Sequence, residues 1–319
     1  MHHNKILLFG GTGFIGQQLA FALANRGCLI TIPSRRPHRH RELLVHPNIR
    51  IVESNIADTA QLENLCRNQD AVINTIGILH EHKKGDFRKV HVEFIKALVN
   101  VCMRSHVKRL LHISALGADQ ARGASRYLRS KGEGENLLHT FGQNGLQVTS
   151  FQPSVVFGVN DQFINRFAGI LRLCIGFFPL ACANSQLAPV YVGDLVARIV
   201  NAIDDQQTYG KRYPVCGPEV FSLKQILELI VEAMNLRCRI VPLGNGLSKL
   251  QALVLQNLPG KLFTMDNYRS LQTPSTCDRS EQRCTTSLRH YIRGIDALFG
   301  RKKHYDDFRQ DHESNSKRI

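Results

Sequence analysis

The first half of the chain alternates short apolar runs with longer segments whose apolar residues recur at helical spacing. Runs of this kind predict buried β-strands, and the periodic segments predict amphipathic helices. Strands are predicted at 6–9, 29–32, 48–53, 71–77, 107–114 and 146–151. Helices are predicted at 17–25, 61–66, 87–105 and 127–141. This alternation predicts an α/β fold with a doubly wound parallel sheet of Rossmann type and a ligand at the carboxyl ends of the strands.

Beyond Pro153 the alternation loosens. Helices are predicted at 161–173, 194–203 and 222–234, the last with Ser222 as its N-cap, and strands at 187–192 and 212–215. We therefore predict a nucleotide-binding domain over 1–155 with returns near 187–203. A smaller, mixed substrate or partner region follows over 156–300, and a charged tail over 301–319 is expected to be disordered.

A glycine-rich turn connects the first predicted strand and helix. It reads Gly10-Gly11-Thr12-Gly13-Phe14-Ile15-Gly16, with glycines three residues apart at 10, 13 and 16. A pyrophosphate must come within hydrogen-bond reach of backbone N–H groups, and a Cβ at the turn blocks that approach. The third glycine lets the helix pack closely on the strand, and the helix N-terminus attracts phosphates. The turn therefore predicts a dinucleotide site; the alternative is a glycine turn that only joins two elements.

The residues after the second strand bear on the choice of dinucleotide. Ser34, Arg35 and Arg36 follow it, and no acidic residue occurs before Glu42. An acidic residue here grips the ribose hydroxyls of NAD, whereas arginine accommodates the 2′-phosphate of NADP. We therefore favour NADP(H) over NAD(H), with a solvated basic loop as the alternative.

Three further positions are candidates for contact with the cofactor. Asp58 follows the third strand, where it either accepts from the adenine amino group or caps the next helix. Ile76 and Gly77 end the fourth strand, where the backbone would pass close to the cofactor.

Candidate catalytic residues lie at the end of the fifth predicted strand and in the helix that follows it. Ser114 ends that strand, and Tyr127 and Lys131 lie four residues apart in the following helix, on one face. A nearby ammonium lowers the pKa of a phenol, which lets it pass a proton at neutral pH. We expect Tyr127 to act as the general acid/base and Ser114 to orient a substrate carbonyl or alcohol.

These motifs resemble those of the extended and atypical short-chain dehydrogenases/reductases, a family that includes epimerase-like enzymes. The residues that carry the resemblance are the three glycines, Asp58, Ser114, Tyr127, Lys131 and the segment 153–158. Segments 76–79, 112–118, 125–131, 189–194 and 258–261 resemble more closely the branch that contains the NADPH-binding accessory subunit of mitochondrial complex I and its bacterial relatives. The resemblance spans about residues 5–275.

The resemblance carries its own expectations. It implies an oxidoreductase that binds NAD(P), with Lys131 on the ribose and Pro153 to Val155 beside the nicotinamide. In the complex I branch, however, NADPH serves assembly or structure, so a non-catalytic NADPH-bound subunit is the alternative. The resemblance to this branch also makes a quinone or a quinone precursor a candidate ligand. More distant relatives act on nucleotide sugars.

The net charge of the chain bears on which classes of partner it could bind. The formal net charge is +15, yet no nucleic-acid recognition module accompanies the basic residues, so we expect a small-molecule substrate and a respiratory-complex or membrane-surface partner instead. The nine cysteines are scattered and lack the spacing of metal ligands, a pattern typical of proteins in a reducing compartment. We expect most of them to be small, buried, apolar residues. No metal is assigned. We expect a cytoplasmic protein, peripheral at the inner face of a membrane, without signal peptide or transmembrane helix.

Two apolar stretches each have two interpretations. The run 175–180 is expected to be buried core, with a lip that faces a membrane or a prenylated quinone as the alternative. The amphipathic stretch 246–263 has the same two interpretations, and packing on its own domain is the more usual one.

Overall fold

A seven-stranded parallel sheet forms the centre of the computed structural model, which describes residues 3–142, 145–257, 261 and 263–294. In chain order its strands and helices are β1 (Lys5–Phe9), α1 (Phe14–Asn25), β2 (Leu29–Ser34), β3 (Ile49–Glu53), α2 (Thr59–Cys66), β4 (Ala71–Asn74), α3 (Asp86–Arg88), α4 (Phe94–Arg104), β5 (Arg109–Ile113), α5 (Arg126–Gly142) and β6 (Gln147–Pro153). The strand β11 (Arg212–Val215) completes the sheet, whose order is β11-β6-β5-β4-β1-β2-β3. The chain order reverses between β1 and β4, which is the switch point where such sheets bind ligands.

Two apolar layers cover the sheet. One face packs against α1 and against α7 (Val192–Ala202), and the other packs against α2, α4 and α5. Both faces of the inner strands are thus buried, which explains why β1 and β4 are continuous apolar runs. The predicted parallel α/β fold is therefore confirmed.

The remaining elements lie outside this sheet, and a second apolar cluster joins all of them except the helices over 245–255 and 265–270. The remaining elements are β7 (Val156–Phe157), α6 (Ile164–Arg172), β8 (Gly176–Leu180), β9 (Gln186–Leu187), β10 (Val190–Tyr191), β12 (Phe221–Ser222), α8 (Leu223–Ala233), β13 (Cys238–Pro242), α9 (Asn245–Leu255), α10 (Met265–Ser270) and α11 (Leu288–Arg293). Their strands form three small pairs, β7 with β10, β9 with β12 and β8 with β13. They adjoin the carboxyl end of the sheet through β6, which leads directly into β7.

The predicted elements recur with shifted boundaries. The predicted helix 87–105 is interrupted by a π-helical turn over Lys89–Glu93, and the predicted strand 187–192 becomes β9 and β10. Ser222 caps α8 in a capping box with Gln225, as its spacing predicts. The strand Arg212–Val215 joins the central sheet, which extends the return to that sheet beyond the predicted 187–203. The charged tail over 301–319 lies outside the described residues.

Two expectations from composition are wrong. The run 175–180 is not core throughout, because Ile175 and Phe177 are largely exposed. Cys216 and Cys277 are buried as expected but form a disulfide rather than two free thiols. Among the described residues, no helix is long and apolar enough to cross a membrane.

Candidate functional site

The glycine turn between β1 and α1 has three glycines that the fold itself needs, one of them Gly11, where a Cβ would lie 2.8 Å from the buried side chain of Ile32. Gly10 has φ +75°, a left-handed conformation that a side chain disfavours. At Gly16 a Cβ would lie 2.1 Å from the carbonyl oxygen of Gly10, so helix and turn could not approach as they do. These positions are explained without a ligand.

Gly13 is different, because its backbone conformation does not require glycine, although a Cβ there would make one tight contact. Its φ is −85° and ψ is 174°, which any residue adopts, and a Cβ would meet only the oxygen of Gly10 at 3.3 Å. The space in front of this exposed residue is therefore open. A ligand that must approach the backbone accounts for glycine here, so the turn fits a dinucleotide pyrophosphate.

The helix behind the turn leaves its N-terminus available. Gly13 is the N-cap of α1, and no side chain caps the helix, so Phe14 and Ile15 begin its uncapped first turn. Thr12 lies in the turn itself, where its carbonyl accepts a hydrogen bond from Gln17 Nε2 at 3.2 Å. N–H groups at such a helix start bind phosphate oxygens. The structure thus gathers all the predicted turn residues at one edge of the sheet.

The predicted 2′-phosphate residues lie at the carboxyl end of β2. Ser34 is its last residue, and its hydroxyl accepts from the backbone N–H of Arg36 at 3.2 Å. The side chains of Arg35 and Arg36 are exposed. Glu42, the first acidic residue after β2, lies against His40 and Gln17. Glu53, the last residue of β3, pairs with Ser34 in the ladder between β2 and β3.

Of the two roles predicted for Asp58, the structure shows the helix cap, and the contact with adenine stays a prediction. Its carboxylate accepts from the backbone N–H groups of Ala60 and Gln61 and from the side chain of Gln61. On the next strand, Asn74 accepts from the N–H of Ile76 at 3.0 Å and thereby fixes the turn after β4. Gly77 follows in an exposed position, where a Cβ would lie 3.8 Å from Lys131 Nζ.

Ser114 is buried just after β5, and its hydroxyl has an acceptor already. It donates to Glu135 Oε2 at 2.6 Å, and Glu135 also accepts from Gln152 at 3.0 Å and forms an ion pair with Arg212 at 3.3 Å. Because the hydroxyl hydrogen points to Glu135, only the oxygen lone pairs of Ser114 remain for a ligand. The carboxylate of Glu135 is itself buried and is satisfied by these partners.

Tyr127 and Lys131 share one face of α5, but the expected pKa effect is wrong. Burial raises the pKa of Tyr127 to about 12, and the ammonium of Lys131 does not lower it. Lys131 Nζ instead donates to the carbonyl of Ile113 at 2.6 Å. Burial lowers the pKa of Lys131 to about 8, against a smaller opposite effect of Glu135.

His91 is a neighbour of this group that sequence reasoning missed. Its Nε2 accepts from the N–H of Ile78 at 3.1 Å, its Nδ1 lies 2.8 Å from Ser130 Oγ, and its ring lies 5.7 Å from that of Tyr127. The Ser130 hydroxyl donates to the carbonyl of Tyr127, so His91 must donate from Nδ1. Burial and the charge of Lys131 lower the pKa of His91 to about 3, which keeps the ring neutral.

The position of His91 depends on two unusual local features. It lies in the π-helical turn, a feature often found at functional sites. Its backbone also touches α5 at Gly134, where a Cβ would lie 1.9 Å from the carbonyl oxygen of His91. A histidine at one helical position gives no such signal in the sequence.

The last predicted contacts follow β6. The carbonyl of Pro153 accepts from Leu116 at 3.0 Å, and that of Val155 accepts from Val190 at 2.9 Å. Both therefore lie at the carboxyl edge that carries Ser114, and Val155 also packs against the second apolar cluster. Asp266 of α10 accepts from the first N–H groups of α5, those of Arg126 and Tyr127. Within the described ranges no cluster of histidine, cysteine and carboxylate side chains suits a metal.

The fold and the glycine turn define an NAD(P)-binding Rossmann protein. Residues 10–158 match the family described as NAD(P)H-binding, so this part of the chain is an NAD(P)H-binding domain. The UDP-glucose 4-epimerase of Thermotoga maritima, solved with UDP-glucose, shares the fold with a TM-score of 0.72. At 17% identity over 93% of this chain and 99% of the epimerase, that likeness concerns the fold alone.

The chain is also homologous to accessory subunits of mitochondrial complex I. It is 24% identical over 251 residues to the NADH-ubiquinone oxidoreductase 40 kDa subunit of Neurospora crassa, covering 78% of this chain and 65% of that one. It is 28% identical over 233 residues to subunit 9 of the NADH dehydrogenase (ubiquinone) 1 alpha subcomplex of Mus musculus, covering 70% and 59%. The chain thus spans about three fifths to two thirds of the length of these relatives. The predicted resemblance is confirmed.

Proposed function

We propose that this chain is an NADP(H)-dependent oxidoreductase linked to respiratory-chain or quinone metabolism. The observation that carries the proposal is the position of Lys131, which lies beside Gly77 and donates to the carbonyl of Ile113, the residue before Ser114, at the carboxyl edge of an NAD(P)H-binding sheet. The ring of Tyr127 contacts that of His91, which also borders Gly77. A small substrate with a carbonyl or quinone group suits this edge, because the donors of the site lie there.

Preference for the phosphorylated cofactor is supported by the end of β2. Arg35 and Arg36 are exposed there, and Glu42, the first acidic residue that follows them in the chain, faces His40. Guanidinium groups bind phosphate through paired hydrogen bonds. The proposed contacts to the rest of the cofactor are those of Gly10, Thr12, Gly13, Phe14, Ile15, Gly16, Ile76, Gly77, Lys131, Pro153 and Val155.

The side chains of the site suit reduction better than oxidation. When bound, NADPH supplies a hydride. With its pKa raised to about 12, Tyr127 stays protonated at neutral pH and can give its proton to an oxygen that gains charge. Lys131, with a pKa of about 8, is mostly charged at pH 7 and can hold the ribose hydroxyls. Ser114 offers its oxygen as an acceptor, since its hydrogen is donated to Glu135.

The test is NADPH oxidation by the purified full chain with a panel of quinones and carbonyl compounds, followed by absorbance. We expect turnover with at least one compound, reduced at least about a hundredfold in Tyr127→Phe with NADPH affinity unchanged. Tyr213→Phe, on the edge strand β11, is the matched control and should retain activity. Equal activity of Tyr127→Phe and the normal protein would exclude the proposed acid.

A second candidate is a non-catalytic subunit whose bound NADPH stabilises a respiratory or ubiquinone-synthesis assembly. Two observations favour this candidate. The Ser114 hydroxyl already donates its hydrogen to Glu135, so it cannot donate to a substrate, and the relatives are named as subunits. A ligand that binds only the folded state stabilises it by mass action. On this reading, Tyr127→Phe leaves biological function intact, whereas Gly13→Asp, which blocks the cofactor turn, abolishes it. Loss of function with Tyr127→Phe alone favours the enzyme.

The proposed partners follow from the same comparison. The relatives are named as subunits of NADH dehydrogenase, which supports a respiratory-complex partner for this chain. We place the protein in the cytoplasm, peripheral at the inner face of a membrane, and a pull-down from native membranes tests both statements.

A further inference from the structure

The helix α9 presents its apolar side to solvent, which is the reverse of an ordinary surface helix. Of its eleven residues only Ser248 and Ala252 are buried, and both lie on one side. The opposite side carries four large apolar residues with 45–58% of their surface exposed, namely Leu247, Leu250, Leu253 and Val254.

Specific hydrogen bonds hold α9 in this orientation. Gln251 donates to the carbonyl of Pro179 at 2.9 Å and accepts from the N–H of Ala181 at 3.1 Å. Ser248 accepts from the N–H of Cys182 at 3.3 Å. Because the polar side chains are used to attach the helix to the end of β8, its leucines must face outward.

Exposed apolar residues also lie just before β8 and within it. Leu173 and Ile175 precede the strand and are 88% and 93% exposed, and Phe177 within it is 68% exposed. Val241 on the paired strand β13 is also exposed. We call these eight residues, four on α9 and four on or before the β8–β13 pair, the docking surface. These residues lie on elements that are joined to one another, and exposed apolar residues grouped on one side of a protein are typical of interaction sites.

The two segments that build the docking surface carry charges of one sign only. The segments 162–193 and 233–265, which build it, contain no aspartate or glutamate. They contain six basic residues, Arg166, Arg172, Arg237, Arg239, Lys249 and Lys261. Lys249 lies on α9 itself, among the exposed leucines, and is exposed.

We propose that the docking surface binds the surface of an anionic lipid bilayer. Leucine, isoleucine and phenylalanine side chains insert at the boundary between headgroups and acyl chains, and basic residues are attracted to anionic headgroups. A fluid bilayer accepts separate protruding side chains, whereas a protein partner must match their shape. This binding requires no nucleotide and is independent of the reaction proposed above.

The test is flotation of the full chain with vesicles of phosphatidylcholine alone and of phosphatidylcholine with phosphatidylglycerol. We expect binding to the anionic vesicles, weakening as salt rises. The variants Ile175→Glu and Leu250→Glu should each lower the partition coefficient at least about tenfold, because they place a carboxylate at the lipid boundary. Val45→Glu changes an equally exposed apolar residue elsewhere and should leave binding unchanged. Circular dichroism and NADPH affinity show that each variant is folded.

Three results would overturn the proposal. Absence of binding to anionic vesicles would do so, as would equal binding of Ile175→Glu and the normal protein. The third is a lipid-free dimer, seen by sedimentation, that Leu250→Glu dissociates, since a second copy would then be the occupant.

Discussion

Replacing Gly13 with alanine separates what the fold needs at the glycine turn from what a ligand needs. The backbone there has φ −85°, and the new methyl group meets only Gly10 O at 3.3 Å. Alanine is a poorer N-cap than glycine, which destabilises the protein by about 0.5–1 kcal/mol, and it restricts the unfolded chain, which offsets a similar amount. The free energy of unfolding should therefore change by less than about 1 kcal/mol.

Nucleotide binding should change far more. The methyl group enters the space where phosphate oxygens approach the first turn of α1, and losing one or two charge-assisted hydrogen bonds amounts to about 3 kcal/mol, or a hundredfold in Kd. At an NADPH concentration of about 100 Kd the normal protein gains about 2.7 kcal/mol of stability, and the variant at that concentration gains about 0.4 kcal/mol.

Thermal unfolding with and without NADPH measures both effects, and calorimetry gives the Kd. Gly169→Ala is the matched control, because Gly169 lies in α6 and a Cβ there meets nothing within 4 Å. If Gly13→Ala keeps the normal Kd, the turn does not bind the pyrophosphate and the reasoning is refuted.

Three further predictions concern other parts of the site. Arg35→Glu should weaken NADPH at least about tenfold and leave NADH within about twofold, measured by fluorescence titration, and equal losses would contradict a 2′-phosphate contact. Because the pKa of Lys131 is lowered to about 8 and an anionic ligand prefers the charged form, NADPH affinity should fall as pH rises from 7 to 9; Lys131→Met should remove that dependence, and an unchanged slope would exclude Lys131 as its cause. Gly134→Ala, with its Cβ 1.9 Å from His91 O, should destabilise the protein by about 2–3 kcal/mol in urea unfolding, and a change below about 0.5 kcal/mol would show that α5 is not held against that turn.

Much of the central sheet could be predicted, because strands that are buried on both faces consist of consecutive apolar residues. The run before Gly10 and the run 71–77 are of this kind, and each corresponds to a strand, β1 and β4. The strand at 212–215 is predicted with its observed bounds, but its place in the central sheet is not, since its partner β6 is distant in sequence and pairing along a sheet edge leaves no local signal. The π-helical turn was missed because its apolar spacing is still close to helical.

Sequence reasoning works best where backbone geometry dictates the residue, as at Gly10 and Gly16. The helical repeat also predicts that Tyr127 and Lys131 share one face of α5, whereas their role in a site stays a prediction. The state of those side chains was not predictable, because it depends on contacts between distant segments. Glu135 takes the hydrogen of Ser114, and burial outweighs the expected influence of Lys131 on the pKa of Tyr127.

The exposed run at 175–180 illustrates the same limit. Apolar composition predicts core because most such residues are buried, yet Ile175 is 93% exposed. What decides its position is the pairing of β8 with β13 and the attachment of α9 through Gln251. Neither contact can be derived from the run itself.

Calorimetric titration of the full, nucleotide-free chain with NADPH, NADP⁺, NADH and NAD⁺ tests the central claim most directly. We expect one site per chain, tighter binding of NADPH and NADP⁺ than of NADH and NAD⁺, and loss of that binding in Gly13→Ala. No heat with any of the four nucleotides, or binding that Gly13→Ala leaves intact, would contradict it.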